Sequence, residues 1–264
     1  MSGVQSIERA ASVLWALARA DPQNSRLSDV AEATGLGKGT VHRLLRTLVG
    51  IGFARQDPGS KGYGLGLGLF ALGRTAEQRL DIFHLARPAL LRLAAKTGDT
   101  VFLSVRDRLE SVCIDRREGD FPIKTLTLDV GARRPLGVGA GSLALLAFLS
   151  DDQAQAIIDS LGSMLDAYPE FNPAVLHGLV AESRRRGYAF NQGRVVVGMS
   201  AVGVPVRGPE GDVVASLSVA AISERMGDDR RREIVEALQE EADRLGGVGL
   251  SAANGKRRRR QAGV

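Results

Sequence analysis

Cysteine is almost absent from this chain of 264 residues: Cys113 is the single one. That excludes an internal disulfide framework and any metal site built on several thiolates. Histidine is scarce too, and His42, His84 and His177 lie too far apart for the local spacing of a zinc motif. No apolar run approaches the ~18 residues of a membrane span. Met1 to Glu8 lacks the basic-then-apolar layout of a signal peptide. The expectation is a cytoplasmic protein without membrane partner, structural metal or cofactor.

Hydrophobic residues make up 44% and charged residues 25%, enough for a buried core. The length suits two domains. The net charge of +5 is unevenly spread. Residues 1–67 hold eight Lys and Arg against five Asp and Glu, and residues 68–253 hold 22 against 25. Residues 254–264 hold five basic residues and no acid. Basic chain ends suit a polyanion, most commonly nucleic acid.

Three helices and a hairpin are predicted in residues 1–67. Ile7, Ala10, Ala11, Leu14, Leu17 and Ala18 recur at helical spacing, with Ser6 as cap and Asp21-Pro22 as stop. A short second helix starts at Ser28 and ends at Gly35. After Leu36 and Gly37 a third helix carries Val41, Leu44, Leu45 and Leu48 on its apolar face. This is the layout of a helix-turn-helix, whose second helix enters the DNA major groove. Its outward residues are Lys38, Thr40, His42, Arg43, Arg46 and Thr47, a face of donors without an acid. Such a face suits phosphates and the acceptor edge of guanine, although a solvated basic helix has the same composition. Two short strands, Phe53–Gln56 and Tyr63–Leu65, then flank a turn-rich stretch. They read as a wing that presents Arg55 and Lys61.

The runs Val4-Gln5-Ser6-Ile7-Glu8-Arg9-Ala10 and Leu36-Gly37-Lys38-Gly39-Thr40-Val41-His42-Arg43-Leu44-Leu45 resemble the IclR family of bacterial transcription regulators. Tyr63-Gly64-Leu65-Gly66 resembles the end of that family's wing, and Gly39 departs from its more usual serine. The resemblance spans nearly the whole chain. It implies an α+β protein: a winged helix-turn-helix joined by a linker helix to a GAF-like antiparallel-sheet domain that binds a small effector. The corresponding segments are 1–67 for the DNA-binding domain, 68–87 for a linker and dimerisation helix, 88–250 for the effector domain and 251–264 for a basic tail. The apolar stripe Leu69, Leu72, Ala76, Leu80 and Phe83 runs to Pro88, which should end or kink its helix near Arg87. It suits either packing on a domain or pairing between subunits. The resemblance implies homodimers or tetramers, and a two-fold protein needs a near-palindromic operator in double-stranded DNA.

In the second domain Val101–Val105, Val112–Ile114, the alternating Leu126, Leu128 and Val130, Val202–Val206 and Val213–Val219 are predicted strands. Helices are predicted at Leu143–Leu149, after Ser150, after Asn172-Pro173 and over Asp228–Leu245. The run Gly137-Val138-Gly139-Ala140-Gly141-Ser142 opens the first of these. A helix start leaves backbone N–H groups free and adds partial positive charge, which suits a carboxylate or phosphate. The same glycines also fit a nucleotide loop, or tight helix–sheet packing. A hydrolase or transferase using residues 137–142 is the enzyme alternative. Yet no Ser-His-Asp, Cys-His or paired-carboxylate constellation is legible, so no catalytic residue is assigned.

The family resemblance places effector contacts at Leu136, Ala140, Gly141, Asn191, Ala201, Ser218 and Ala220. Met199 adds adaptable apolar contact. Family members often carry Asp, Cys and Ser where Asn191, Ala201 and Ala220 stand, and His and Lys where Gly137 and Leu143 stand. Those departures predict a roomier, less polar pocket for a small organic acid larger than a 2-oxo acid, such as an aromatic carboxylate.

Overall fold

In a computed structural model of the chain, residues 4–20, 25–78 and 81–247 are described. The chain divides into two units, Met1–Arg79 and Leu80–Val264. Asp21-Pro22, Leu80 and the basic tail at 251–264, all invoked from the sequence, lie outside the described residues.

The first unit contains helices α1 (Gln5–Arg19), α2 (Leu27–Thr34) and α3 (Lys38–Gly50). Strands β1 (Ala54–Gln56) and β2 (Tyr63–Leu65) form an antiparallel pair, and helix α4 (Leu67–Glu77) follows. Val13 and Leu17, Val30, and Val41, Leu45 and Leu48 meet in one small core, which the helical spacing of these residues dictates. Two predicted caps differ. Val4 precedes α1 and Ser6 lies inside it. Ser28 lies inside α2, where its hydroxyl turns to Asp29 Oδ1. The start of α2 is held instead by the Asp29 carboxylate, which accepts the backbone N–H of Arg26 at 2.9 Å. An acid three residues into a helix does this as well as a serine at its edge, because the orphan donor only needs an oxygen within reach. Gly35 takes the left-handed conformation between α2 and α3, at φ 66°.

The linker is two helices in sequence. No residue of α4 is buried. In the second unit α5 (Asp81–Thr97) continues through Pro88. Of the expected end or kink, the end does not occur. A mid-helix proline costs ~3 kcal/mol, and the burial of Ala86, Ala89, Leu90 and Leu93 in the core offsets it.

The rest of the second unit is strands β3 (Thr100–Asp107), β4 (Glu110–Arg117) and β5 (Arg133–Pro135), then helices α6 (Ala140–Ala147), α7 (Asp151–Ser160) and α8 (Pro173–Arg186). Strands β6 (Ala189–Gln192), β7 (Met199–Arg207) and β8 (Val213–Ile222) and helix α9 (Asp228–Gly246) complete it. These six strands form one antiparallel sheet in the order β5-β4-β3-β8-β7-β6. The protein is therefore α+β. Val101, Leu103, Leu217, Val219, Val202 and Val204 face α5 and α9 in one core. The alternate residues face the other way, toward α6. There the side chains are small, and a Cβ at Gly203 would lie 2.6 Å from the carbonyl oxygen of Ala140. Glycine at 203 lets α6 approach the sheet.

Leu126, Leu128 and Val130 do not form a strand. Residues 124–130 are irregular, with Leu126 and Val130 exposed and Leu128 half-buried. Their alternation reflects a segment draped along the sheet rather than paired with it. The predicted caps Ser150 and Asn172 accept the backbone N–H of Gln153 and Val175.

Candidate functional site

On α3 the burial of Val41, Leu45 and Leu48 forces Lys38, His42, Arg43, Arg46 and Thr47 outward, and Thr40 is half-buried. The side chains of Lys38, His42, Arg43 and Arg46 have no hydrogen bond or ion pair among the described residues. The Thr47 hydroxyl donates to the carbonyl of Arg43 at 3.1 Å. Beyond β1 the hairpin tip is organised by Asp57, which accepts from the N–H groups of Gly59 and Ser60 and from the Ser60 hydroxyl. These bonds, that of the Ser60 N–H first, hold the Asp57 carboxyl below its ordinary range. Lys61 stands exposed at the tip in a left-handed conformation, φ 59°, and Arg55 lies across Gly64 of the partner strand. The cations of α3 and of the β1–β2 hairpin are thus all at the surface of the first unit.

The second unit holds a cavity where α6 meets the sheet. Register builds its floor. Asn191, Ala201 and Ala220 pair across β6, β7 and β8, and Gly203, Ser218 and Phe102 form the next row. Gly139, Ala140, Gly141 and Ser142 close one side, and Met199, Thr125, Thr127 and Leu128 border another. The centres of water-sized spheres have about 50 Å³ there, several times the ~10–15 Å³ that one water needs. A compact organic molecule fits.

Part of the polar chemistry inside is unspent. Gly139 starts α6 from a left-handed φ of 88°. The backbone N–H groups of residues 139–142 make no hydrogen bond among the described residues. Asn191 is 7% exposed, and its Oδ1 is buried without a partner. Arg134 also lines the cavity. Desolvation lowers the pKa of its guanidinium. Nothing in the sequence singled Arg134 out, because Arg133 stands beside it and strand neighbours point to opposite faces. Arg133 pairs outward with Asp107 at 2.6 Å and Glu110 at 2.8 Å.

Of the positions expected to contact an effector, Ala140, Gly141, Asn191, Met199, Ala201, Ser218 and Ala220 come together around this cavity. Leu136 does not. The left-handed turn at Gly137 carries Leu136 beneath the lining, where it is fully buried among α6, α7 and α8. Gly137 faces Leu176, with a Cβ placed there only 2.5 Å from it, and Leu143 lies in the same helical core. Neither departure shapes the cavity. Nor is the lining depleted of polar groups, since Ser104, Ser111, Thr125, Thr127 and Arg134 border it. Cys113 is buried in the sheet, and burial pushes its thiol up to about 12. It is an inert core residue.

A model of the IclR helix-turn-helix domain matches residues 6–58, and one of the bacterial transcriptional regulator IclR C-terminal domain matches residues 74–246. This chain belongs to the IclR family. It is 30% identical over 258 residues to the HTH-type transcriptional regulator XynR of Escherichia coli K12, covering 96% of this chain and 98% of that one. A crystal structure of an IclR transcriptional regulator from Alicyclobacillus acidocaldarius superposes with a TM-score of 0.78 at 31% identity, over 93% of this chain and 99% of the other. An IclR homologue from Microbacterium hydrocarbonoxydans, solved with 4-hydroxybenzoate, shares the fold at 22% identity and TM-score 0.73, over 92% of this chain and 98% of the other. This IclR-family protein is thus a transcriptional regulator with a DNA-binding helix-turn-helix unit and an effector-binding unit, not an enzyme. No described helix is long and apolar enough to cross a membrane.

Proposed function

We propose that this regulator's hold on its operator is set by a small organic acid bound in the cavity between α6 and the sheet. The observation that carries this reading is the start of α6, where consecutive unbonded N–H groups line a cavity of ligand size. Backbone donors and the helix dipole at such a start favour an anion. The ligand of the Microbacterium homologue is itself a carboxylate, which agrees with this choice.

On the DNA side, α3 reads the major groove with Arg43 and Arg46, supported by Lys38, Thr40, His42 and Thr47. Arg55 and Lys61 of the wing touch the backbone beside it. The protein acts as a homodimer or a tetramer on a near-palindromic operator in the cytoplasm. Helix α4 supports the assembly: Leu67, Phe70 and Leu72 are 85%, 67% and 55% exposed, more apolar surface than a lone helix leaves in water without reason. The GAF-like description of the second unit rests on its antiparallel sheet with helices on both faces.

The test is a gel-shift on the DNA flanking the protein's own gene, repeated with small carboxylic acids. A specific complex that one acid releases or tightens is the expected result. Coupling is reciprocal, so operator DNA should change the acid's affinity by the same factor. A specific complex that no acid alters would overturn the effector reading and leave DNA binding intact.

A further inference from the structure

Arg134 lines the cavity as a cation without an anion among the described residues. It lies in β5, in register with Ser111 of β4, on the face that borders the cavity. Its Nη2 donates to the carbonyl of Thr127, and no carboxylate lies within ion-pair distance of it among the described residues. Three neighbouring arginines of this edge of the sheet have carboxylate partners. Arg133 holds Asp107 and Glu110, Arg116 holds Asp129, and Arg117 holds Asp115. Arg134 is half-buried, and a guanidinium partly withdrawn from water without a counter-ion carries a cost that an anion would relieve. Gly139 accommodates it: a Cβ there would stand 3.2 Å from Arg134 Nη1. The guanidinium therefore passes over the start of α6, beside the unbonded N–H groups. In the same cavity Asn191 Oδ1, an acceptor, is buried without a donor.

We infer that Arg134 is the counter-ion of the effector, and that Asn191 accepts a hydrogen bond from a second group on it. The ligand class is a small organic acid that also carries a hydroxyl or amine. This rests on the effector reading above and sharpens it. Backbone N–H groups alone accept any anion or polarised carbonyl, whereas a guanidinium requires negative charge and matches a carboxylate with two parallel bonds. The bond to Thr127 gives the ligand a further consequence. An anion on Arg134 tightens the segment 124–130 that borders the cavity, because both share one guanidinium.

The experiment compares acids with their own amides. Thermal unfolding of the full-length protein is followed with benzoate and 4-hydroxybenzoate, and with benzamide and 4-hydroxybenzamide, all at millimolar concentration. Wild type, Arg134→Met, Arg134→Lys and Asn191→Leu are tested. The expected result is that the acids raise Tm of wild type and the amides do not, with 4-hydroxybenzoate ahead of benzoate. Arg134→Met should weaken acid binding about tenfold to a hundredfold, the range of a lost charge-assisted bond. Arg134→Lys should restore part of it, and Asn191→Leu should remove the advantage of the hydroxyl. Without ligand, Arg134→Met should unfold no earlier than wild type, since an unpaired cation has been removed.

Equal response of wild type and Arg134→Met to the acids overturns the counter-ion role and leaves the effector reading standing. Stabilisation by the amides and not the acids overturns the counter-ion role and the organic-acid reading together. If neither set stabilises wild type, both the inference and the organic-acid reading fall. If Arg134→Met does not fold, the acid-against-amide comparison in wild type still decides the ligand's charge.

Discussion

Helices α3 and α6 both start from a glycine, Gly37 and Gly139, and both leave hydrogen-bond donors unspent. They spend them in opposite directions. In α3 the donors are side chains on the outer face, and the helix is held from behind by Val41, Leu45 and Leu48. In α6 seven of eight residues are buried, and the free donors are backbone groups facing a cavity. A surface site is separable from its scaffold. An interior site is made of the scaffold, so changes to it should be felt by the fold.

The largest effect that would break this contrast is at α3. Arg43→Ala with Arg46→Ala should abolish specific binding in practice, since each bidentate base contact is worth ~1–3 kcal/mol. Helix content and unfolding midpoint should stay at wild-type values. Any contact made to phosphate should also lower the salt slope by about one. Normal operator affinity in the double variant would remove α3 from its role.

Gly203→Val tests the interior half. A side chain there meets the carbonyl of Ala140, so α6 must move off the sheet. Overpacking of this kind costs ~1–3 kcal/mol. Urea unfolding should show that loss together with a lost response to effector. Loss of the response at full stability would mean that site and scaffold separate here too. Gly141 is a poor place for the same test, because its Cβ would already lie 2.9 Å from Ser218 Oγ.

A smaller effect, on stability alone, is expected on the far face of the sheet. Glu241 of α9 is buried and receives Arg92 of α5 through two bonds, at 2.8 and 2.7 Å, with Arg244 on the same carboxylate. The bond from Arg92 is the main reason its carboxyl lies below the ordinary value of 4.5. A depressed carboxyl stabilises above its unfolded pKa, and that stability disappears as pH falls through the folded value. Glu241→Ala should cost ~1–3 kcal/mol near neutral pH and flatten the acid side of the stability profile. The response to effector should persist, and its loss would extend the site across the sheet.

Legibility followed the same division. The helix-turn-helix was readable because its core is local: i, i+3, i+4, i+7 spacing brings the apolar residues together within one helix, and the outward face follows by exclusion. The long strands and the caps at Ser150 and Asn172 were readable for similar reasons. Strand β5 was not, since Arg133-Arg134-Pro135 has no apolar face and sits at the sheet edge, where proline is tolerated. Strand β6 was missed as four residues beside a longer hairpin. Leu126, Leu128 and Val130 alternate like a strand but have no partner.

The sequence by itself determined the class of protein, the order of its two units and the chemistry of the outward face of α3, because each rests on neighbours within a few residues. Tertiary structure decided the cavity. Residues 134, 139–142, 191, 201 and 220 share no periodicity, and only the register of β6, β7 and β8 and the approach of α6 over Gly203 bring them together. It also decided which of two adjacent arginines met carboxylates and which was left facing the cavity. That choice depends on which side of the sheet holds Asp107 and Glu110, and no local pattern records it.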